Sequence, residues 1–146
     1  MKKRNLKGFT LIELIVVIAI IGVLAAILVP AMMGWVRKAS INSANANAKT
    51  VFTNAQTVAQ EWETAGRTLA NDDYASGGTG YVAEVQSNIS GSVTNWSVRV
   101  ADYVVTGAIC TTSGWTGTYP HAKLPTNTTK GATLDNAISG GTGFAS

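Results

Sequence analysis

Between Leu14 and Val29 the chain carries no polar side chain. With Phe9 to Ile12 and Ala31 to Met33 the apolar run reaches about 25 residues, enough to span the ~30 Å hydrocarbon core of a bilayer as one helix. Burying such a helix in a globular core needs protein on every side of it, and the rest of a 146-residue chain is short for that. Residues 9–33 are therefore read as a transmembrane helix. One residue in the run stands out. Glu13 puts a carboxylate where ionised groups are costly, so a partner or a function is expected for it. The alternative is that it snorkels to the headgroups near the helix start.

The flanks give an orientation. Lys2, Lys3, Arg4 and Lys7 precede the run and only Arg37 and Lys38 follow it closely, so the positive-inside bias places the N-terminus in the cytoplasm and exports the rest. Trp35 then falls at the outer interface, where indoles are common. The leader also explains the formal charge of +3: it holds four of the 11 Lys and Arg, leaving seven against 8 Asp and Glu. The basic balance therefore belongs to a targeting segment and is no nucleic-acid footprint. Beyond the helical region the cations are scattered, at Arg67, Arg99, Lys123 and Lys130. A secretory signal would share the basic start, but its apolar stretch runs to about 7–15 residues and is cut at its far end. Here the run is longer and the helical pattern continues past it, which favours retention of the helix.

The stretch "KGFTLIELIVVIAIIGVLAAILVPA", Lys7 to Ala31, resembles the class III leader and N-terminal helix of the type IV pilin family, pseudopilins included. The resemblance rests on a basic leader ending in Gly8, an aromatic at Phe9, Glu13, an apolar helix and Pro30, and it covers about the first 35 residues. It implies that a prepilin peptidase cuts between Gly8 and Phe9 and methylates the new Phe9 amine, with the helix staying on the product. It also implies that Glu13 neutralises the N-terminal amine of a neighbouring subunit during assembly. Gly22 and Pro30 bracket the weakest part of the helix, because glycine is a poor helix former and proline lacks the N–H. The family associates that region with local melting in the filament; a simple kink is the plain structural reading.

Past Met33 the composition turns to Ala, Asn and Ser while helical periodicity persists. Ala44, Ala48, Val51, Ala55, Val58, Trp62 and Ala65 recur at spacings of three and four and line one face. Gly66 is a stop signal. The expected helix runs from about Phe9 to Ala65, roughly 85 Å long, and its amphipathic half packs on a head. Arg67 to Gly80 reads as a loop, and Tyr81 to Ile89 as a short element with Val82, Val85 and Ile89 on one helical face. Trp96, Val98 and Val100 alternate, and Tyr103 to Cys110 is rich in β-branched and apolar residues. Together they form a hairpin with Ala101 and Asp102 as its turn, joined by unplaced strands from the tail. "SGGTG" occurs at Ser76–Gly80 and Ser139–Gly143 as a shared turn preference, too sparse for a repeat architecture.

Catalytic chemistry finds no footing. His121 and Cys110 are the single histidine and cysteine, which gives neither a zinc cluster nor a nucleophile and base. Asp72 and Asp73 are read as a solvated turn rather than a calcium site. Cys110 has no partner for the C-terminal disulfide many pilins carry and is placed in a strand as a small apolar residue. The expected fold is α+β: leader 1–8, transmembrane helix 9–33, amphipathic continuation 34–66, and a head with an antiparallel sheet over 67–146. No enzyme activity, cofactor, metal or specific nucleic-acid partner is expected. The expected role is structural. A precursor held once in the inner or cytoplasmic membrane joins a homo-oligomeric extracellular filament through the prepilin peptidase and the pilus assembly machinery. The alternatives are a pseudopilin of secretion or competence, for which an acidic calcium-binding tail would speak although the tail from Lys130 offers only Asp135; an adhesive or DNA-binding tip module; and an anchored protein that never polymerises.

Overall fold

The computed structural model describes residues 8–89, 93, 95–120 and 134–139. In chain order it has α1 (Leu11–Thr64), β1 (Asp72–Ala75), α2 (Tyr81–Asn88), β2 (Asn95–Ala101), β3 (Val104–Thr112), β4 (Trp115–Tyr119) and α3 (Leu134–Ser139). The chain divides into two compact units between Arg37 and Lys38. In the first unit every described residue is exposed. The second holds the core and is an α+β arrangement of the pilin kind.

Sequence dictates the second unit's helix face directly. Ile41, Ala44, Ala48, Val51, Ala55, Val58 and Ala59 of α1 are buried, which reproduces the apolar stripe with two additions. Trp62 is half-buried, and Ala65 lies exposed beyond the helix end. The helix stops at Gly66 because that residue takes φ 67° and allows a Schellman turn. Arg67 N–H donates to the Trp62 carbonyl at 2.9 Å and Gly66 N–H to the Glu63 carbonyl at 3.0 Å, so carbonyls of the last turn find donors.

Against this face lies a four-stranded antiparallel sheet in the order β1-β2-β3-β4. Trp96, Val98 and Val100 of β2 alternate inward with Val105, Ala108 and Cys110 of β3, as a half-buried strand pair should. Each buried valine contributes about 1.5–3 kcal/mol relative to an exposed one. Gly117 of β4 marks the closest approach: a Cβ there would run into the Ala44 carbonyl group and the Asn45 nitrogen. The backbones sit so close that the Asn45 side-chain oxygen accepts from Thr118 N–H at 2.9 Å. On the sheet's other face, α3 buries Leu134 and Ala137, and Gly107 leaves room for Ile138.

Three expectations need correction. The loop expected over Arg67–Gly80 contains β1, paired antiparallel with β2; Asp73 lies opposite Arg99 and forms an ion pair with it, at 2.7 Å between Oδ2 and Nη2. Asp72 and Asp73 are thus strand residues. The hairpin turn sits one residue later than expected, at Asp102 and Tyr103, both with positive φ as a two-residue type I′ loop demands. Tertiary bonds hold it there. Gln56 donates from Nε2 to the Tyr103 carbonyl and accepts from Val105 N–H at 2.7 Å, while the Tyr103 hydroxyl donates to the Arg67 carbonyl at 2.8 Å. Finally, among the described residues the tail supplies one strand, β4, and a short helix, α3. The element expected over Tyr81–Ile89 is helical, with Tyr81, Val82 and Val85 buried. His121, Lys123, Lys130, residues 1–7 and the second "SGGTG" beyond Ser139 fall outside the described residues.

Candidate assembly segment at the N-terminus

The first turn of α1 is closed by a capping box. Thr10 stands at the N-cap, and its backbone N–H and hydroxyl both donate to Glu13 Oε2, at 2.8 and 2.6 Å. In return Glu13 N–H donates to the Thr10 hydroxyl at 3.3 Å. The pattern Thr-x-x-Glu satisfies donors that a helix start leaves without intrahelical partners. It was legible in the sequence and went unread. Among the described residues, Glu13 Oε1 makes no hydrogen bond. Just ahead of the cap, Gly8 and Phe9 are non-helical and exposed: nothing comes within 4 Å of the position a Gly8 side chain would take, and Phe9 is 87% exposed.

From this cap the apolar surface continues unbroken. Large side chains from Leu11 to Val36 stand open, and Trp35 at its far end is 78% exposed. The helix has the length and composition to cross a membrane. Gly22 and Pro30 both lie inside α1, which runs through them without interruption; Pro30 lacks the N–H that would reach the carbonyl four residues back. Gly22 has nothing within 4 Å of its missing side chain.

The second unit's polar chemistry is structural. Glu84 accepts from the Trp62 indole and from Arg67, each at 2.7 Å, and these bonds hold its carboxyl below the ordinary range. Arg67 also lies over the Trp62 ring at 3.7 Å. Arg99 likewise lowers Asp73. Burial pushes the Cys110 thiol up, as suits an inert core position. Among the described residues no three His, Cys, Asp or Glu gather as a metal site would require.

An apolar, uncovered half-helix with a capped acid at its head, continuous with a helix that backs a small sheet, fits the class of α+β proteins anchored in a membrane by one N-terminal helix. Residues 3–29 match the family described as "Prokaryotic N-terminal methylation motif". A fimbrial protein of Moraxella nonliquefaciens is 58% identical over 38 residues, 26% of this chain and 25% of that one. The type IV wide pilus major component of Thermus thermophilus is 57% identical over 37 residues, 25% of this chain and 28% of its own. A type IV major pilin protein of Neisseria gonorrhoeae is 53% identical over 38 residues, 26% and 23% of the two chains. Through this N-terminal segment the chain is similar to type IV pilin and fimbrial proteins. The matched stretch spans about a quarter of the length of these curated relatives. No solved structure matches.

Proposed function

We propose that this chain is the structural subunit of a type IV pilus-like extracellular filament. It is made as a precursor anchored by α1 with its N-terminus in the cytoplasm, cut between Gly8 and Phe9, methylated on Phe9 and polymerised by packing of the apolar half-helices. The carrying observation is the uncovered apolar half of α1 with the capped Glu13 directly behind an open Gly8–Phe9 junction. Nothing in the described chain covers that surface, so a bilayer first and other copies later account for it. The relatives named as fimbrial and pilus proteins support the filament reading; a pseudopilin of secretion or competence, which would share this N-terminal segment, is the alternative. Gly22 and Pro30 then give the packed helix its weak stretch, because each lowers the cost of losing helical bonds there.

Glu13 serves two ends in this reading, and one pair of substitutions separates them. Glutamine keeps an oxygen for the Thr10 donors and preserves a capping box, but it has no charge for a neighbour's Phe9 amine. An amine entering the apolar fibre interior without a counter-charge bears a desolvation cost on the order of several kcal/mol. Glu13→Gln is therefore expected to be inserted and cut normally and to give few filaments. Thr10→Ala, which loses only a cap worth about 1 kcal/mol, should still assemble. The test compares the membrane pool, the N-terminal mass and sheared filaments of both variants with wild type. Normal filament yield from Glu13→Gln would reduce Glu13 to its cap. A mature N-terminus other than methylated Phe9 would refute the processing step.

A further inference from the structure

The outward face of α1 in the second unit carries opposite charges on its two edges. At 3.6 residues per turn, Asn42, Ala46, Thr53, Thr57, Gln60 and Thr64 form the line opposite the buried stripe, and all are exposed and uncharged. A solvent face of a surface helix ordinarily carries charge along its middle. Here the charge sits at the margins. Lys38 and Lys49 flank the line on one side, with Glu63 on that side at the helix end, and Glu61 flanks it on the other; Lys49 and Glu61 are about 120° apart around the axis and ~18 Å apart along it. All four are exposed, and among the described residues none belongs to an ion pair. Among the described residues Lys49 reaches the Tyr119 ring, 5.9 Å from its centroid.

We propose that this face is a contact between successive copies of the chain, in which Lys49 on one edge meets Glu61 on the opposite edge of the next copy. The inference rests on the filament reading and deepens it by naming a register. Two parallel helices offset by roughly 18 Å place Lys49 of one level with Glu61 of the other. Residues 38–52 of the first then run beside residues 50–64 of the second. Glu63, on the lysine side, projects past that overlap. A contact between different edges is heterologous, so the array always keeps one free edge of each sign, at its two ends, and stays open, as a helical filament needs. The neutral line between the edges is cheap to cover. Thr53 donates its hydroxyl to the Lys49 carbonyl at 3.0 Å, Thr57 to the Thr53 carbonyl at 3.0 Å and Thr64 to the Gln60 carbonyl at 2.8 Å, so these hydroxyls keep a partner when water leaves.

Cysteine pairing tests the register in the full chain, in cells that assemble the wild type. The variant carrying both Lys49→Cys and Glu61→Cys cannot bridge within one copy, because its two Cα atoms lie ~18 Å apart against the less than about 7 Å a disulfide needs. Cys110 is buried and out of reach. Oxidised filaments of the double variant should give a ladder of dimers, trimers and higher multimers on a non-reducing gel, while each single variant stays monomeric. Charge exchange supplies a second reading. Lys49→Glu or Glu61→Lys alone should lower the yield of sheared filaments severalfold, and the two together should restore it. Wild-type filaments with no ladder and no restoration would overturn this contact while leaving the filament reading standing. Dimers from one single variant would show a symmetric contact, and an adduct with another protein would give the face to a different partner; either overturns it. Absence of the wild-type chain from any filament would instead defeat the filament reading itself.

Discussion

Gly117→Ala is the substitution the second unit should tolerate least. The added methyl would lie well inside the 3.0 Å that real Cβ atoms keep, and what it meets is backbone, the Ala44 carbonyl group and the Asn45 nitrogen. Neither can rotate away, so β4 and α1 must part by on the order of 1 Å. Overpacking of this kind costs about 1–3 kcal/mol where side chains can adjust, and more where they cannot. The same separation breaks the bond from Thr118 N–H to Asn45, now 2.9 Å, which adds about 1–3 kcal/mol for a buried donor left alone. A total of roughly 3–5 kcal/mol is a large part of the 5–15 kcal/mol that holds a domain folded. For a unit of this size it corresponds to a fall in Tm of at least about 12 °C. The assay is thermal unfolding of the detergent-solubilised full chain followed by tryptophan fluorescence. Gly22→Ala, which meets nothing within 4 Å, is the control and should leave that transition in place. A Gly117→Ala transition within about 2 °C of wild type would refute the close approach of β4 to α1.

Replacing Gln56 by Leu strips partners from both the Tyr103 carbonyl and Val105 N–H; a loss of about 1–3 kcal/mol is expected, whereas exposed Gln60→Ala should stay within about 0.5 kcal/mol, both read from the same melts. Glu84 is held below its ordinary value of 4.5 by the Trp62 indole and then by Arg67. A pKa lower in the folded state than in the unfolded one adds stability that is complete above the unfolded value and lost as pH falls through the folded one. Melting temperatures should therefore fall more steeply below pH 4.5 for wild type than for Glu84→Gln, and parallel curves would discard the bond. Reducing agent should not move the transition, since Cys110 is free and buried. Its thiol should react with an aromatic disulfide reagent only after unfolding, so rapid labelling of the native chain would show that β3 is not covered as described.

What the sequence disclosed followed the two periodicities. The stripe on α1 and the alternation in β2 and β3 are one-dimensional records of which side faces the core, and both reappear as buried faces. The elements that went unread take their structure from distant partners. In β1 the stretch Asp72–Ala75 has only Tyr74 turned toward the core, and it is a strand because β2 offers it an edge. The helix α3 is short, and its burial depends on the room that Gly107 leaves 27 or more residues earlier in the chain. Tyrosine at a positive φ is an unfavourable choice for a turn, and Tyr103 occupies one because Gln56, Arg67 and Leu69 all bond to it. At the N-terminus the failure was of another kind. The Thr10-to-Glu13 spacing is a local capping-box signal that needs no distant partner, whereas the cost of a carboxylate in a membrane segment points first to a neighbouring subunit.

That local bond changes how Glu13 is to be understood. A helix that starts in an apolar medium has no water to serve its first N–H groups, and each one left alone is costly. The third helical position is where a carboxylate reaches back to its own N-cap, and Glu13 does so with one oxygen, Oε2, which takes both Thr10 donors. A carboxylate one turn deeper would lose that reach and keep the whole desolvation cost. The second oxygen is the consequence. With Oε1 left without a hydrogen bond among the described residues, an amine can approach it while the cap stays closed. Capping and amine pairing in the proposed filament are therefore compatible in a single rotamer. The helix need not unwind its first turn to exchange one partner for the other, and Glu13 can enter assembly already oriented by Thr10.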